Sequence, residues 1–338
     1  MALGVIVAGV GARGQDWIRE VSANPAFKLS ALVDPDQDTL QTASQIFGIS
    51  KADCFENLGQ ALDQKECDAV IIASSADRHV EVCELALKRR RAVLVEKPFT
   101  MALSDAVRLV SLAERQNVSL MVAQNYRYLR SFRTARRLIN EGVLGRIGMV
   151  VCQYYRVPHT MVASLSRLTN SVLWGVGVHH LDALRYLLGQ NIKRVMADSF
   201  TLPWGQLPQG ASMLVMLDFE NQARGNYLAT YESSGHEFFE GGQEFYARLV
   251  GERATLHVFQ RWLMLYEGNK LPRLIRRGRR ESTEEQVLLR QLEAAVLRGE
   301  EPDASGRDNL QTVATAEACL RSAAEQRWVE LRELFDES

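Results

Sequence analysis

Residues 3–14 read LGVIVAGVGARG, an apolar run that leads into a glycine-rich turn, and this stretch decides the fold of the first part of the chain. The six residues Leu3–Ala8 are mostly apolar, which predicts a buried β-strand. The turn Gly9-Val10-Gly11-Ala12-Arg13-Gly14 then fits the pattern G-x-G-x-x-G. A helical pattern, Arg13–Ala23, follows directly. A glycine turn between a strand and a helix predicts a unit that binds a dinucleotide.

The residues of this turn have separate predicted tasks. Gly9 permits the tight turn, Gly11 lets the backbone approach a pyrophosphate, and Gly14 lets the helix pack closely on the strand. Ala12 and Arg13 stand at the helix N-terminus, where free N–H groups and positive potential attract phosphates. We therefore predict that these five residues bind the cofactor.

An acidic residue follows the second predicted strand, Phe27–Val33. Asp34 lies twenty residues beyond Gly14. A carboxylate at this place hydrogen-bonds a ribose 2′-hydroxyl and repels a 2′-phosphate. The next residues are Pro35 and Asp36, so no Arg is at hand to accept such a phosphate. The sequence favours NAD over NADP.

Strand and helix patterns continue to alternate as far as residue 122. The continuous apolar run Val70-Ile71-Ile72-Ala73 is typical of a strand buried on both faces, as in a parallel sheet covered by helices. Repeated units of this kind predict a doubly wound α/β fold, and we assign residues 1–123 to it. The further predicted elements are Asp36–Phe47, Ala69–Ala73, Arg78–Arg89, Ala92–Val95, Leu103–Asn117 and Ser119–Val122.

Residues 124–338 differ in character and are assigned to a second, α+β domain. A basic helix, Arg130–Glu141, is followed by strand patterns separated by turn residues, as in antiparallel hairpins. The predicted strands are Ile147–Arg156, Ile192–Thr201, Ser212–Glu220, Gly225–Ser233, Glu244–Val250, Thr255–Phe259 and Trp262–Glu267. The predicted helices are Val178–Leu188, Thr283–Leu297 and Asp308–Ala324.

Charge and composition exclude several classes of protein. Among 338 residues, 40 Lys and Arg stand against 41 Asp and Glu, which argues against a nucleic-acid partner or an anionic membrane surface. No apolar run approaches the length of a membrane span, and the N-terminus has no basic segment of a secretory leader. The five cysteines form no C-x-x-C pair, so we predict neither a metal site nor a disulfide framework. A cytoplasmic protein is expected.

Four stretches carry a resemblance to a known family. With the glycine turn, Leu94-Val95-Glu96-Lys97-Pro98-Phe99 resembles the Gfo/Idh/MocA oxidoreductases. Residues 71–79 (IIASSADRH), 138–147 (LINEGVLGRI) and 177–182 (GVHHLD) are similar to further segments of that family. The resemblance extends over nearly the whole chain.

The family resemblance implies a fold, a cofactor and a class of substrate. It implies an N-terminal Rossmann domain and a C-terminal domain with an open, mostly antiparallel sheet. It also implies a nicotinamide cofactor, a sugar, polyol or related substrate, and a homodimer or homotetramer formed through the open sheet face. The additional cofactor-binding residues that it implies are Ser74, Ser75, His79, Glu96, Lys97 and Asn125.

Two residues carry the implied chemistry. Lys97 is the catalytic lysine, whose ammonium hydrogen-bonds and polarises the oxygen that changes between alcohol and carbonyl. His179 is the general base, because a neutral imidazole accepts the hydroxyl proton while hydride moves to the nicotinamide. Asp182 follows by three residues, so on a helix it shares a face with His179 and its carboxylate can orient the ring. Whether the bond between Lys97 and Pro98 is cis is left open by the sequence.

The chain departs from the family pattern at one position. Family dehydrogenases commonly carry Asp four residues before this His, and here that residue is Gly175. Three interpretations stay open: His179 suffices as the base, another residue replaces the acid, or the chemistry differs. The candidate replacements are His180, His159, Tyr154 and Tyr155. Different chemistry includes glycoside cleavage through transient oxidation with held NAD, and a binding role without catalysis.

The remaining predicted residues contact substrate. Tyr126 and Arg127 follow the last Rossmann strand, near the expected nicotinamide, and Trp174 offers an aromatic plane that suits a sugar ring, although core packing explains it equally well. His180 and Asp182 complete the predicted substrate-binding set.

Overall fold

In the computed structural model, which describes residues 2–157, 168–234, 246–278 and 282–338, the glycine turn lies between a strand and a helix, as predicted. The chain forms two compact units. The first consists of Met1–Asn125 with Ser282–Val313, and the second of Tyr126–Glu281 with Ala314–Ser338.

A six-stranded sheet forms the centre of the first unit. Its order is β3-β2-β1-β4-β5-β6, and every neighbouring pair is parallel. The strands are β1 Leu3–Ala8, β2 Phe27–Val33, β3 Cys54–Phe55, β4 Ala69–Ile72, β5 Ala92–Val95 and β6 Leu120–Val122. The helices of this part are α1 Ala12–Ser22, α2 Gln37–Phe47, α3 Leu58–Gln64, α4 His79–Lys88 and α5 Leu103–Gln116. The predicted doubly wound Rossmann fold is confirmed.

Local sequence explains where these elements begin and end. The carboxylate of Asp36 accepts the N–H of Thr39 and so caps α2, which ends at Gly48 in the left-handed region. On α1 the buried residues Gly14, Trp17, Ile18 and Val21 recur at helical spacing. That face packs on the sheet and fixes the direction in which the helix N-terminus points.

Residues 282–313 pack with the first unit, which differs from the predicted second domain over all of 124–338. The segment contains α8, Glu284–Arg298, and the start of α9, Gly306–Glu325. The hydroxyl of Thr283 and the amide of Gln286 both donate to the carboxylate of Glu20 on α1. Further along, the N–H of Val122 in β6 donates to the carbonyl of Ala304 at 2.9 Å. These long-range contacts have no local sequence signal.

A nine-stranded mixed sheet forms the second unit, in the order β14-β13-β12-β11-β7-β10-β9-β8-β15. Its central pair, β7 and β10, is parallel, and the other pairs are antiparallel. The strands are β7 Ile147–Tyr155, β8 Ile192–Phe200, β9 Ser212–Phe219, β10 Arg224–Thr230, β11 Tyr246–Gly251, β12 Thr255–Phe259, β13 Leu263–Tyr266, β14 Arg273–Ile275 and β15 Val329–Glu330. The predicted mostly antiparallel sheet is confirmed.

Helices α6, Arg130–Asn140, and α7, Val178–Leu188, pack against each other in this unit. A short helix, α10, Leu331–Asp336, follows β15. One π-helical turn, Leu173–Gly177, runs directly into α7. In the part of the chain that the structure describes, no helix is long and apolar enough to cross a membrane.

Candidate cofactor and active site

The glycine turn has the backbone geometry that a dinucleotide site requires. Gly9 has a φ of +88°, and a Cβ atom there would lie 2.3 Å from the amide nitrogen of Ser74. A Cβ atom on Gly14 would lie 1.9 Å from the carbonyl oxygen of Gly9. Gly11, in contrast, is exposed and has open space where a side chain would be. It caps α1 without a side-chain hydrogen bond, so the first N–H groups of the helix remain available to an anion.

A cavity of about 510 Å³ lies beside the glycine turn within the first unit. It borders the carboxyl ends of β1, β2 and β4, where open α/β sheets bind ligands. The predicted residues in its wall are Gly9, Gly11, Asp34, Ser74 and Ser75. The wall also contains residues that were not predicted as site residues, including Glu56, Asn57, Leu58, Gly59, Arg78, Glu81, Val82 and Leu85.

The carboxylate of Asp34 holds the turn as well as lining the cavity. One oxygen accepts the N–H of Val10 at 2.8 Å, and the other accepts the N–H of Asp36 at 3.0 Å. A carboxylate oxygen has more than one acceptor position, so both oxygens can still receive a ribose hydroxyl. Asp34 therefore helps to fix the conformation of the glycine turn, and it is also the predicted contact of the ribose.

The residues present fit a bound dinucleotide. The hydroxyl oxygen of Ser74, in the cavity wall, and the side-chain carbonyl oxygen of Asn125 are buried atoms with no hydrogen-bond partner within the described ranges. Buried polar atoms of this kind cost free energy unless a ligand or water satisfies them. Together with the open position at Gly11, they match a cofactor that brings its own donors and acceptors.

Glu96 lies at the centre of a polar network rather than in the cavity wall. One of its oxygens accepts the Arg13 guanidinium at 2.6 Å and the Trp17 indole N–H at 2.8 Å. Arg13 also binds Glu285 of α8 at 2.9 Å. The predicted cofactor residues Arg13 and Glu96 are therefore brought together, and the network links the glycine turn to the residue that precedes Lys97.

Lys97 follows β5 at the carboxyl edge of the same parallel sheet. The residue is half-buried, and its bond to Pro98 is cis. Burial lowers the pKa of its ammonium from the ordinary 10.5; the charge of Glu96 acts in the opposite direction, and that of Arg13 adds to the lowering. A lysine with a lowered pKa exchanges a proton more readily near neutral pH than a surface lysine does.

His79, a predicted cofactor residue, lies buried at the start of α4. Its two ring nitrogens face the backbone carbonyl oxygens of Pro98 and Ser74. The ring therefore contacts two loops of the protein.

In the second unit, His179 is stacked on Tyr126. The ring centroids are 4.5 Å apart and the planes differ by 4°. His179 lies in the first turn of α7 and is 6 % exposed. The stack fixes the plane of the imidazole, so two predicted site residues are brought together.

Asp182 and Arg127 form a buried ion pair. The guanidinium donates to both carboxylate oxygens, at 2.7 and 2.5 Å, and Arg185 lies 3.6 Å from one of them. The carboxylate thus binds two guanidinium groups, because a fully buried charge requires such compensation. That Asp182 also orients His179 and that Asp182 and Arg127 contact substrate stay predictions.

The position of the missing acid lies in the π-helical turn. Gly175 and Trp174 are both buried, and Trp174 is 4 % exposed. π-Helical turns occur often at functional sites, because the extra residue redirects the neighbouring side chains. Helical periodicity in the sequence does not reveal an irregularity of this kind.

The candidate replacements for the acid have different surroundings. His180 is fully buried, and its Nδ1 lies 3.0 Å from the hydroxyl of Tyr227. Burial raises the pKa of Tyr154, which makes this phenol a weaker acid and hinders its use as an anionic base. Tyr155 is half-buried, and His159 lies outside the described residues. The part of the chain that is described contains no group of three or more His, Cys, Asp or Glu residues that could hold a metal ion.

A matched pair of glycine variants tests the cofactor turn. We expect Gly11→Ala to unfold like the wild type but to bind NAD at least roughly tenfold more weakly, because the new methyl group occupies the open approach to the backbone. Gly14→Ala is expected to lose about 3 kcal/mol of unfolding free energy, because its methyl group collides with the Gly9 carbonyl. Calorimetric NAD titration and urea unfolding measure the two effects. Equal NAD affinity in Gly11→Ala and wild type would contradict this assignment.

A doubly wound sheet with this turn, this cavity and an acidic residue after β2 defines a dinucleotide-binding protein. The family model described as an oxidoreductase family with an NAD-binding Rossmann fold matches residues 3–124. The GFO/IDH/MocA C-terminal domain model matches residues 132–257. The chain belongs to the Gfo/Idh/MocA family and is an NAD-binding oxidoreductase of that family.

Individual relatives match over most of their length. The chain is 27 % identical to a D-apiose dehydrogenase of Paraburkholderia graminis over 325 residues, which cover 92 % of this chain and 85 % of the relative. It is 24 % identical to a myo-inositol 2-dehydrogenase of Thermotoga maritima, covering 99 % and 100 %. A solved structure of an Agrobacterium radiobacter oxidoreductase in complex with NAD+, L-tartaric acid and magnesium is similar with a TM-score of 0.88, at 22 % identity and covering 99 % and 100 % of the two chains.

Proposed function

We propose that this protein is an NAD-dependent dehydrogenase that interconverts a hydroxyl and a carbonyl group of a sugar or polyol. The observation that carries the proposal is the position of Lys97. Lys97 follows β5 in the same unit as the glycine turn and the 510 Å³ cavity. Burial lowers the pKa of its ammonium group. A cationic donor at that sheet edge is suited to an oxygen that gains negative charge during the reaction.

The proposed mechanism assigns one task to each residue. NAD, when bound through the glycine turn, Asp34, Ser74 and Asn125, supplies a nicotinamide ring that accepts or returns a hydride. Lys97 donates a hydrogen bond to the substrate oxygen and stabilises the charge that develops on it. His179 accepts the hydroxyl proton on its imidazole, and Tyr126 holds the ring in plane by stacking. The ion pair between Glu96 and Arg13 ties the cofactor turn to the residue that precedes Lys97.

The substrate class is supported by the names of the relatives. D-apiose and myo-inositol are both polyhydroxylated carbohydrates. We keep Trp174, Arg127 and Asp182 as predicted substrate-binding residues. Their burial favours a role in supporting the site over direct contact with substrate. We therefore propose a polyhydroxylated carbohydrate as the substrate.

A nicotinamide absorbance assay tests the proposed activity. We expect purified protein with NAD to reduce the cofactor in the presence of at least one member of a panel of pentoses, hexoses and inositols. Replacing NAD by NADP should lower kcat/KM, because Asp34 repels the 2′-phosphate. Release of free sugar from glycosides without net NAD reduction would instead indicate oxidation-assisted hydrolysis. Tight NAD binding without turnover of either the free carbohydrates or the glycosides would indicate a binding protein.

We also propose a cytoplasmic location and a homodimer or homotetramer. Support for self-association comes from one face of the second sheet, where Met149, Leu214 and Met216 are between 44 % and 55 % exposed. Leu214 and Met216 alternate along β9, and the register of β9, β10 and β7 puts Met149 on the same face. Large apolar side chains grouped on one face favour a protein partner. The scattered cysteines, all unpaired, are compatible with a reducing compartment.

A further inference from the structure

The imidazole of His79 connects two loops at the carboxyl edge of the parallel sheet. The residue begins α4 and is 1 % exposed. Its Nδ1 lies 2.8 Å from the carbonyl oxygen of Pro98, and its Nε2 lies 3.1 Å from the carbonyl oxygen of Ser74. One loop follows β5 and the other follows β4, so a single ring spans neighbouring strand ends.

The two loops carry different parts of the proposed site. Ser74 lines the cavity, and its backbone lies directly against Gly9 of the glycine turn. Pro98 follows Lys97 in the chain, so the position of its carbonyl group constrains the backbone that carries the ammonium. A ring that binds the Pro98 carbonyl therefore restrains the backbone next to Lys97.

The number of N–H groups on the imidazole limits how many of the two carbonyl oxygens it can bind. Carbonyl oxygens only accept hydrogen bonds, and a neutral imidazole has one N–H to donate. Burial lowers the pKa of His79 and favours the neutral ring, against the opposing effects of the backbone of Pro98, Ser74 and Phe99 and of the charge of Glu96. The contact to Pro98 is the shorter of the two. The shorter contact favours the tautomer that carries its proton on Nδ1.

We propose that His79 is a positioning residue for Lys97, which it holds in place by donating its Nδ1–H to the carbonyl oxygen of Pro98. This inference rests on the proposed dehydrogenase function, because its kinetic consequence is measured in that reaction. It differs from the prediction made from the sequence, in which His79 contacts the cofactor. A cofactor contact would weaken NAD binding on removal, whereas a positioning residue slows turnover.

Two amide variants separate the ring nitrogens. Asn brings an N–H near the place of Nδ1, and Gln brings one near the place of Nε2. We expect His79→Asn to keep kcat within about threefold of wild type, whereas His79→Gln and His79→Ala lower it roughly 10–100-fold through misplacement of Lys97. NAD affinity, measured by calorimetry without substrate, is expected to stay within about threefold in all three.

Several outcomes would overturn the proposal. They are equal kcat in all three variants and wild type, retention of kcat by His79→Gln but not by His79→Asn, and loss of NAD affinity in step with kcat. Where a variant fails to fold, ¹⁵N NMR of the wild-type protein decides, because the proposal requires protonated Nδ1 and unprotonated Nε2. The opposite tautomer would refute it. If the wild-type protein oxidises no carbohydrate, the proposed function fails while the tautomer still tests the Pro98 anchor.

Discussion

Lys97→Ala is expected to lower kcat by roughly 10²–10⁴-fold on any substrate that the wild-type protein oxidises, with little change in NAD affinity. The ammonium stabilises charge on the substrate oxygen most strongly in the transition state, so its removal acts on kcat more than on binding. Lys97 follows β5, whereas the glycine turn and Asp34 follow β1 and β2. Because these are different strand ends, we expect the substitution to leave the contacts of the glycine turn and Asp34 with NAD in place. Steady-state kinetics and calorimetric NAD titration measure the two quantities.

The pH profile gives the same variant a second readout. The ammonium is present below its pKa and is lost as pH rises through it. Burial places that pKa below 10.5, so kcat/KM of the wild type should decline on the alkaline side at a pH lower than a solvent-exposed lysine would give. Lys97→Ala should lack this alkaline decline.

A surface lysine serves as the matched control. Lys88, at the end of α4, is exposed and pairs with Glu84. Lys88→Ala should leave both kcat and the alkaline decline at wild-type values, since exposed ion pairs contribute little. An unchanged rate in Lys97→Ala would remove this lysine from the mechanism.

The elements that the sequence predicts best are those in which several local signals agree. β1, the glycine turn and α1 combine an apolar run, glycine spacing and helical periodicity, and α7 was predicted at its observed bounds, Val178–Leu188. The strand β3 and helix α3 were missed, because two residues and seven residues give too little periodicity. Asn57, which caps α3 by accepting the N–H of Gln60, was the available signal.

Site residues were predicted by type and position, and their contacts were not. The sequence indicates a carboxylate after β2, but not that Asp34 also binds the Val10 amide. It indicates Asp182 beside His179 on a helix, but the charge that captures the carboxylate comes from Arg127, fifty-five residues earlier. Contacts of this range depend on the tertiary fold. The same reason explains why Glu285 could not be assigned to Arg13 from the sequence.

His179→Asn is expected to lower kcat/KM by roughly 10²–10⁴-fold, because the imidazole that accepts the hydroxyl proton is replaced by an amide that cannot. His180→Asn is the comparison variant on the same helix, because the Nδ1 of His180 lies 3.0 Å from the hydroxyl of Tyr227. A fall in kcat/KM of less than about tenfold would exclude the His180 ring as the base.

Variants at Tyr126 and Gly175 test the role of His179 as the base independently. Tyr126→Phe keeps an aromatic plane 4.5 Å from the imidazole and should retain most of the rate, whereas Tyr126→Leu should lose part of it. Gly175→Asp restores the acid that family dehydrogenases commonly carry. If His179 suffices as the base, this change creates no activity that the wild type lacks. Activity that appears only in the Gly175→Asp variant, or a full rate in His179→Asn, would mean that His179 is not sufficient as the base in this chain.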